Sequence, residues 1–194
     1  MDFSHGIRAA LTALGGVVPS MVILGLSLGA LAVRRAWWPA AWLVAALILA
    51  IGISVATKVA FYAWDIRFGL AVFRGASGHA LRATAMYPSF AWIVFAGSSR
   101  RRSAVALAAG ILVALAVTLS TIEPAMHTSV EAFAGALIGA GVPMAIGRAG
   151  RLTALPTRLQ LSLVACAIAS CAFLPATDYD FEQRVVDFSG YLND

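Results

Sequence analysis

The chain has 194 residues, of which 61% are hydrophobic and only 12% charged, with a formal net charge of +5 and a mean hydropathy of +0.87. That is too apolar for a water-soluble domain of this size and points to a helical protein that crosses a membrane several times. The basic balance calls for no nucleic acid: Arg100-Arg101-Arg102 lies between two apolar runs, where arginines set topology and also touch lipid phosphates.

The N-terminus, Met1-Asp2-Phe3-Ser4-His5-Gly6-Ile7-Arg8, lacks the basic start and small-residue cleavage pattern of a signal peptide. The first apolar run is therefore expected to stay in the mature protein. Six runs have the length of a membrane span: 15–33, 39–57, 77–97, 104–122, 127–147 and 159–176. The expected fold class is all-α, a polytopic membrane protein with six transmembrane helices in one bundle. Connections are short, there is no internal repeat, and 1–194 reads as a single domain.

Along these runs, Pro19, Pro88 and Pro143 predict kinks. The spacings Gly25-x3-Gly29 and Gly135-x3-Gly139 predict close helix packing. Trp37, Trp38, Trp42 and Trp92 read as interfacial belt residues. Cys166 and Cys171, five apart in the last run, point to different helix faces and read as buried small hydrophobes rather than a disulfide or metal pair. The acidic tail 177–194, with Tyr179, Phe181, Phe188 and Tyr191, reads as an interfacial helix or a loosely ordered tail.

Charge placement gives an orientation. With six spans, one face receives the loops 34–38, 97–103 and 148–158, which hold Arg34, Arg35, Arg100, Arg101, Arg102, Arg148, Arg151 and Arg158 and no acidic residue. All nine acidic residues (Asp2, Asp65, Glu123, Glu131, Asp178, Asp180, Glu182, Asp187, Asp194) fall on the other face. The positive-inside rule makes the arginine face cytoplasmic, which leaves both termini, His5, His79 and His127 outside.

The residues that could do chemistry stand where apolar runs begin. His79 follows Ser77-Gly78 at the start of the third run, where first-turn N–H groups can face an anion and Gly78 allows close approach. His127 and Glu131 open the fifth run four residues apart, hence on one helical face. A carboxylate so placed can hold one ring nitrogen and leave the other to attack phosphorus. The bland reading is a pair of interfacial histidines and a helix-start glutamate favoured by the dipole. Lys58, Arg67, Arg74 and Arg82 lie on the same side and favour the functional one. For Arg82, snorkelling toward the nearby surface is the competing explanation.

In these residues the chain resembles the type-2 phosphatidic acid phosphatase superfamily of integral-membrane lipid phosphatases. That family carries Lys-x6-Arg-Pro, then Pro-Ser-Gly-His, then Ser-Arg-x5-His-x3-Asp. The second signature matches as Ala76-Ser77-Gly78-His79, and the third, in spacing, as Ser120-Thr121-x5-His127-x3-Glu131 followed by Ala134-Gly135. The likeness covers roughly residues 58 to 140. The first signature departs: Lys58 is present, but Asp65 stands seven residues on, and Arg67 comes two residues late with Phe68 in place of proline. Thr121 replaces the third-signature arginine, and the first signature closes the second run here where the family's closes the third.

The resemblance implies a metal-independent phosphatase with no cofactor, acting on a lipid phosphate. His127 would be the nucleophile forming a phosphohistidine, Glu131 its orienting carboxylate and His79 the acid for the leaving lipid oxygen. Lys58, Arg74, Arg82 and Arg67, with Ser77 and Gly78, would bind the phosphate. A polyprenyl phosphate, pyrophosphate or phosphosugar is the favoured substrate, and the outer leaflet of a bacterial inner membrane the expected location, with the site open to the periplasm. The competing expectation is a non-hydrolytic lipid-phosphate binder or transporter on the same scaffold, with a lipid phosphotransferase between the two.

Overall fold

Seven helices follow one another along the chain: α1 (Phe3–Leu14), α2 (Val17–Val33), α3 (Trp37–Trp64), α4 (Gly78–Phe95), α5 (Arg100–Ser120), α6 (Ser129–Arg148) and α7 (Thr157–Phe173). The computed structural model describes residues 3–66, 73–122, 127–173 and Phe188. Arg67, Glu123 and, Phe188 apart, the tail 177–194 lie outside the described residues. Helices α2 to α7 fall on the six expected apolar runs. By length and composition, α3, α5 and α6 could each cross a membrane, and α1 with α2 makes a fourth such span if their 43° bend is a break within one span.

The limits of the helices follow from local chemistry. Helix α3 has 28 residues, about 42 Å at 1.5 Å each, longer than a hydrocarbon core of roughly 30 Å. Exposed tryptophans mark both ends, Trp37 and Trp38 at the start and Trp64 at the finish. Asp65, left-handed at φ 49°, stops it, and the turn lets the N–H of Ile66 donate back to the Ala60 carbonyl. The α1–α2 bend falls at Gly15-Gly16 and not at the proline expected to cause it. Pro19 is the third residue of α2, in the first turn, where a missing N–H leaves no helical bond unmade.

Helix α4 is the centre of the bundle. It buries twelve of its eighteen residues, against four of twenty-one in α5, and packs mainly on α5 and α6, then on α2. Wrapped in protein, it can carry polar side chains: the Thr84 and Ser89 hydroxyls donate to the carbonyls of Ala80 and Ala85 one turn back. Leu81, Ile93 and Val94 of α4 join Ile23, Leu31, Leu43, Val142 and Ile146 in the main apolar core.

Gly135 and Gly139 are packing residues, as their spacing suggests. A side chain at either would collide with the Ser77 carbonyl or with Thr84 and the Leu81 carbonyl. Gly25 and Gly29 have nothing within 4 Å of where a Cβ would stand, so among the described residues the same spacing in α2 packs against no other helix. Cys166 is exposed and Cys171 half-buried, with its sulfur 3.9 Å from the Tyr87 hydroxyl. The expected burial of both is corrected: α7 is peripheral and contacts only α2 and α4 appreciably.

The arginine loops meet at one end of the bundle. Arg34 Nε donates to the Thr153 carbonyl at 2.7 Å, and Gln160 donates to the Ser98 hydroxyl at 2.9 Å. The opposite end gathers the α1–α2 corner, the start of α4, the end of α5 and the start of α6. There Thr12 and Ser120 share a hydroxyl hydrogen bond of 3.0 Å, and Ser77 N–H donates to the Glu131 carbonyl at 2.9 Å.

Candidate functional site

Glu131 organises this end. Thr128 is the N-cap of α6, and its side chain accepts from the Glu131 N–H while Glu131 Oε2 accepts from the Thr128 N–H at 2.9 Å. This reciprocal pair is a capping box. The other carboxylate oxygen, Oε1, accepts from the Arg74 N–H at 2.7 Å, and His127 Nδ1 lies 3.4 Å from Oε2. Glu131 is 2% exposed, so a carboxylate removed from water is satisfied by two backbone donors and faces an imidazole.

The expectation that His127 and Glu131 share a helical face is corrected. Helix α6 begins at Ser129, so His127 stands before the cap, in an extended stretch bridged to Ile122. Thr128 starts the helix because its hydroxyl satisfies an orphan first-turn N–H. The i to i+4 spacing still brings imidazole and carboxylate together, through the cap rather than along a helix. His127 is buried, 7% exposed.

The segment 73–77 joins α3 to α6 and leads into His79. Ala76 N–H donates to Thr57 Oγ1 and the Ser54 hydroxyl donates to the Ala76 carbonyl, both at 3.1 Å. On the other side Ser77 N–H bonds Glu131 and Gly135 lies against Ser77. Gly75 has φ +130° and passes so near Lys58 that a side chain would strike it. Ser54 and Thr57 were not singled out from the sequence. Their signal is Ser54-x2-Thr57-Lys58, three polar residues within two turns of an apolar run.

The expected phosphate-binding residues divide. Lys58 is inside α3 and buried, 4% exposed, not at the edge of an outer loop, because α3 continues seven residues beyond the expected end at 57. Arg74 has an exposed side chain and contributes its backbone N–H to Glu131. Ser77 N–H is spent on the Glu131 carbonyl and is removed as an anion donor; its hydroxyl caps α4. Gly78 is the first residue of α4, where an N–H has no partner in the helix ladder.

Arg82 does not reach for the lipid. Its Nε donates to the Gly15 carbonyl at 2.8 Å, and Nη1 lies 3.1 Å from where a Gly78 side chain would begin. The guanidinium thus fills the space that glycine leaves at the head of α4, one turn from His79. Snorkelling is corrected to a pairing with the Gly15 carbonyl at the α1–α2 corner, where Tyr87 donates to Leu14 O at 2.9 Å. His79 is half-buried, with its Cβ facing Gly15.

Thr121 stands fully buried, its hydroxyl donating to the Thr118 carbonyl at 2.7 Å. It ends α5 and brings no charge. One end of the bundle therefore holds a buried imidazole–carboxylate pair, a second histidine on the helix that Ser77 ties to that pair, and two cationic side chains, Lys58 and Arg82. Among the described residues no three His, Cys, Asp or Glu side chains come together. Comparison with family models, with characterised proteins and with solved structures returned no significant match.

Proposed function

We propose that the chain is an integral-membrane lipid phosphatase that works through a phosphohistidine. The observation that carries this reading is the Glu131 carboxylate, held by two backbone N–H groups and turned to His127 Nδ1, on the same framework that carries His79. In the proposed reaction His127 Nε2 attacks phosphorus as the bond to the lipid oxygen breaks, and Glu131 stabilises the imidazolium. His79 gives its proton to the departing alkoxide, then takes one from the water that splits the phosphohistidine. Lys58, Arg82 and the Gly78 N–H would balance charge on the equatorial oxygens.

The favoured substrates are polyprenyl phosphates, pyrophosphates or phosphosugars. Thr121 favours a second reading, a lipid-phosphate binder or transporter, because a buried hydroxyl cannot replace an arginine. Phosphate release from a panel of lipid phosphates by detergent-purified protein separates the two: hydrolysis is expected, and tight binding without release would leave only the second.

The reading includes six spans, α1–α2 and α4 and α7 among them, in a bacterial inner membrane with the site and both termini in the periplasm. Single cysteines at Asp65 and Arg100, both exposed, test it in a chain with Cys166 and Cys171 changed to alanine. A membrane-impermeant maleimide added to intact cells should label Asp65→Cys and spare Arg100→Cys. The reverse pattern would turn the site to the cytoplasm.

Arg82→Lys keeps the charge but loses the fork that holds Gly15 and reaches Gly78. Turnover should fall about 10- to 100-fold, roughly 1.4–2.7 kcal/mol in the barrier, with Arg82→Ala worse. A purely structural Arg82 would lower the melting temperature in both variants and leave the rate per folded molecule unchanged.

A further inference from the structure

An open groove of about 950 Å³ runs down the opposite flank from α6, between α2, α4, α5 and α7. Its walls are apolar side chains such as Ile23, Phe90, Val113 and Ile168, and its floor is small: Ala91, Ala109 and Gly110. Gly110 sits against the Tyr87 carbonyl, 2.8 Å from where a Cβ would stand, which seats α5 closely on α4 and leaves the trough above it. The exposed side chains of Arg101 and Arg102 form one end.

The other end lies at Leu14, Tyr87 and Cys171, where the Tyr87 hydroxyl bonds the Leu14 carbonyl. Arg82 bonds Gly15 beyond it, and neither His79 nor His127 lines the groove. Along α5 it extends from Arg101 to Val113, twelve residues or about 18 Å. Half of a hydrocarbon core of roughly 30 Å is about 15 Å, so the groove has the depth of one leaflet.

We infer that this groove binds a phospholipid with an anionic headgroup, taken from the leaflet on the arginine side, with its phosphate on Arg101 and Arg102 and its acyl chains along α5. Charge decides the occupant. Guanidinium forks at the groove mouth match phosphate oxygens. Among the described residues, a second copy of the chain in the same orientation offers no acidic residue at that level, since loops 34–38, 97–103 and 148–158 contain none. A polyprenyl chain long enough to span the bilayer would outrun a groove of about 18 Å. The site is separate from the proposed phosphatase centre and does not depend on it.

Native mass spectrometry of the full chain in detergent tests this with phosphatidylglycerol and phosphatidylcholine of identical acyl chains. One phosphatidylglycerol should be retained at about tenfold lower lipid concentration than phosphatidylcholine. The double variant Arg101→Gln/Arg102→Gln should lose that preference, and Ala109→Phe, which fills the trough, should weaken both lipids about tenfold. Undiminished phosphatidylglycerol preference in the double variant would overturn the proposal, as would unchanged lipid retention in a folded Ala109→Phe protein. Conversion of a dimer to a monomer by Ala109→Phe would assign the groove to a second copy, and tenfold tighter retention of a polyprenyl phosphate would assign it to that chain; either overturns the inference. Because both arginines are exposed, the double variant decides the question even if Ala109→Phe fails to fold.

Discussion

His127→Ala should lower turnover of every lipid phosphate by at least about 10³-fold, equivalent to roughly 4 kcal/mol in the barrier, and the acid-labile, base-stable phosphoenzyme expected of a phosphohistidine should not be trapped. The substitution removes the proposed nucleophile itself, so a better leaving group cannot compensate. His79→Ala should behave differently. Loss of a general acid costs about 10²- to 10⁴-fold for an alkyl leaving group and much less for an aryl phosphate, whose oxygen departs without a proton. His127 lies outside the helices, between Ile122 and the α6 cap, so the alanine protein should still insert and fold. Equal cleavage of an aryl phosphate by wild type and His127→Ala would end the covalent mechanism.

Glu131→Ala should have the largest effect on stability of any change at this end. It strips the acceptor from the N–H groups of Arg74 and Thr128 and removes a negative charge from the first turn of α6. Each buried N–H left unmade costs about 1–3 kcal/mol, and the dipole contribution is about 0.3–1 kcal/mol. A loss of roughly 2–7 kcal/mol follows, visible as a large fall in melting temperature. Glu131→Gln separates the two roles of this residue. The amide keeps an oxygen for one donor and most of the shape, so the fall should be smaller, while an uncharged partner no longer supports the His127 imidazolium. A glutamine variant that turns over as wild type would leave Glu131 as a helix cap and nothing more.

Glu131 also illustrates what is legible in a sequence of this kind. The spacing His127-x3-Glu131 correctly placed imidazole beside carboxylate, but the reason was local capping, not a shared helical face. Thr128-x2-Glu131 carries that capping signal within four residues. Lys58 shows the opposite limit. The apolar run fades near 57, yet α3 continues to Trp64 because the later residues pack, Ala60 and Ala63 being buried. Nothing in the run announces that a lysine will be enclosed by a segment seventeen residues downstream.

By itself the sequence determined the helical class, the positions of α2 to α7 and the gathering of arginine-bearing connections at one end. These follow from hydropathy summed over some twenty residues and from the cost of charge in hydrocarbon, both local quantities. The tertiary structure alone decided that α4 is the central helix, that the α1–α2 corner bends at Gly15-Gly16, and that Arg82 pairs with that corner rather than with lipid. It also decided that segment 73–77 is clasped between Ser54 and Thr57 on one side and Glu131 and Gly135 on the other. Those outcomes rest on hydrogen bonds and close glycine contacts between distant residues, 67 positions apart for Arg82 and Gly15 and 73 for Tyr87 and Leu14, and no window of neighbouring residues contains both partners.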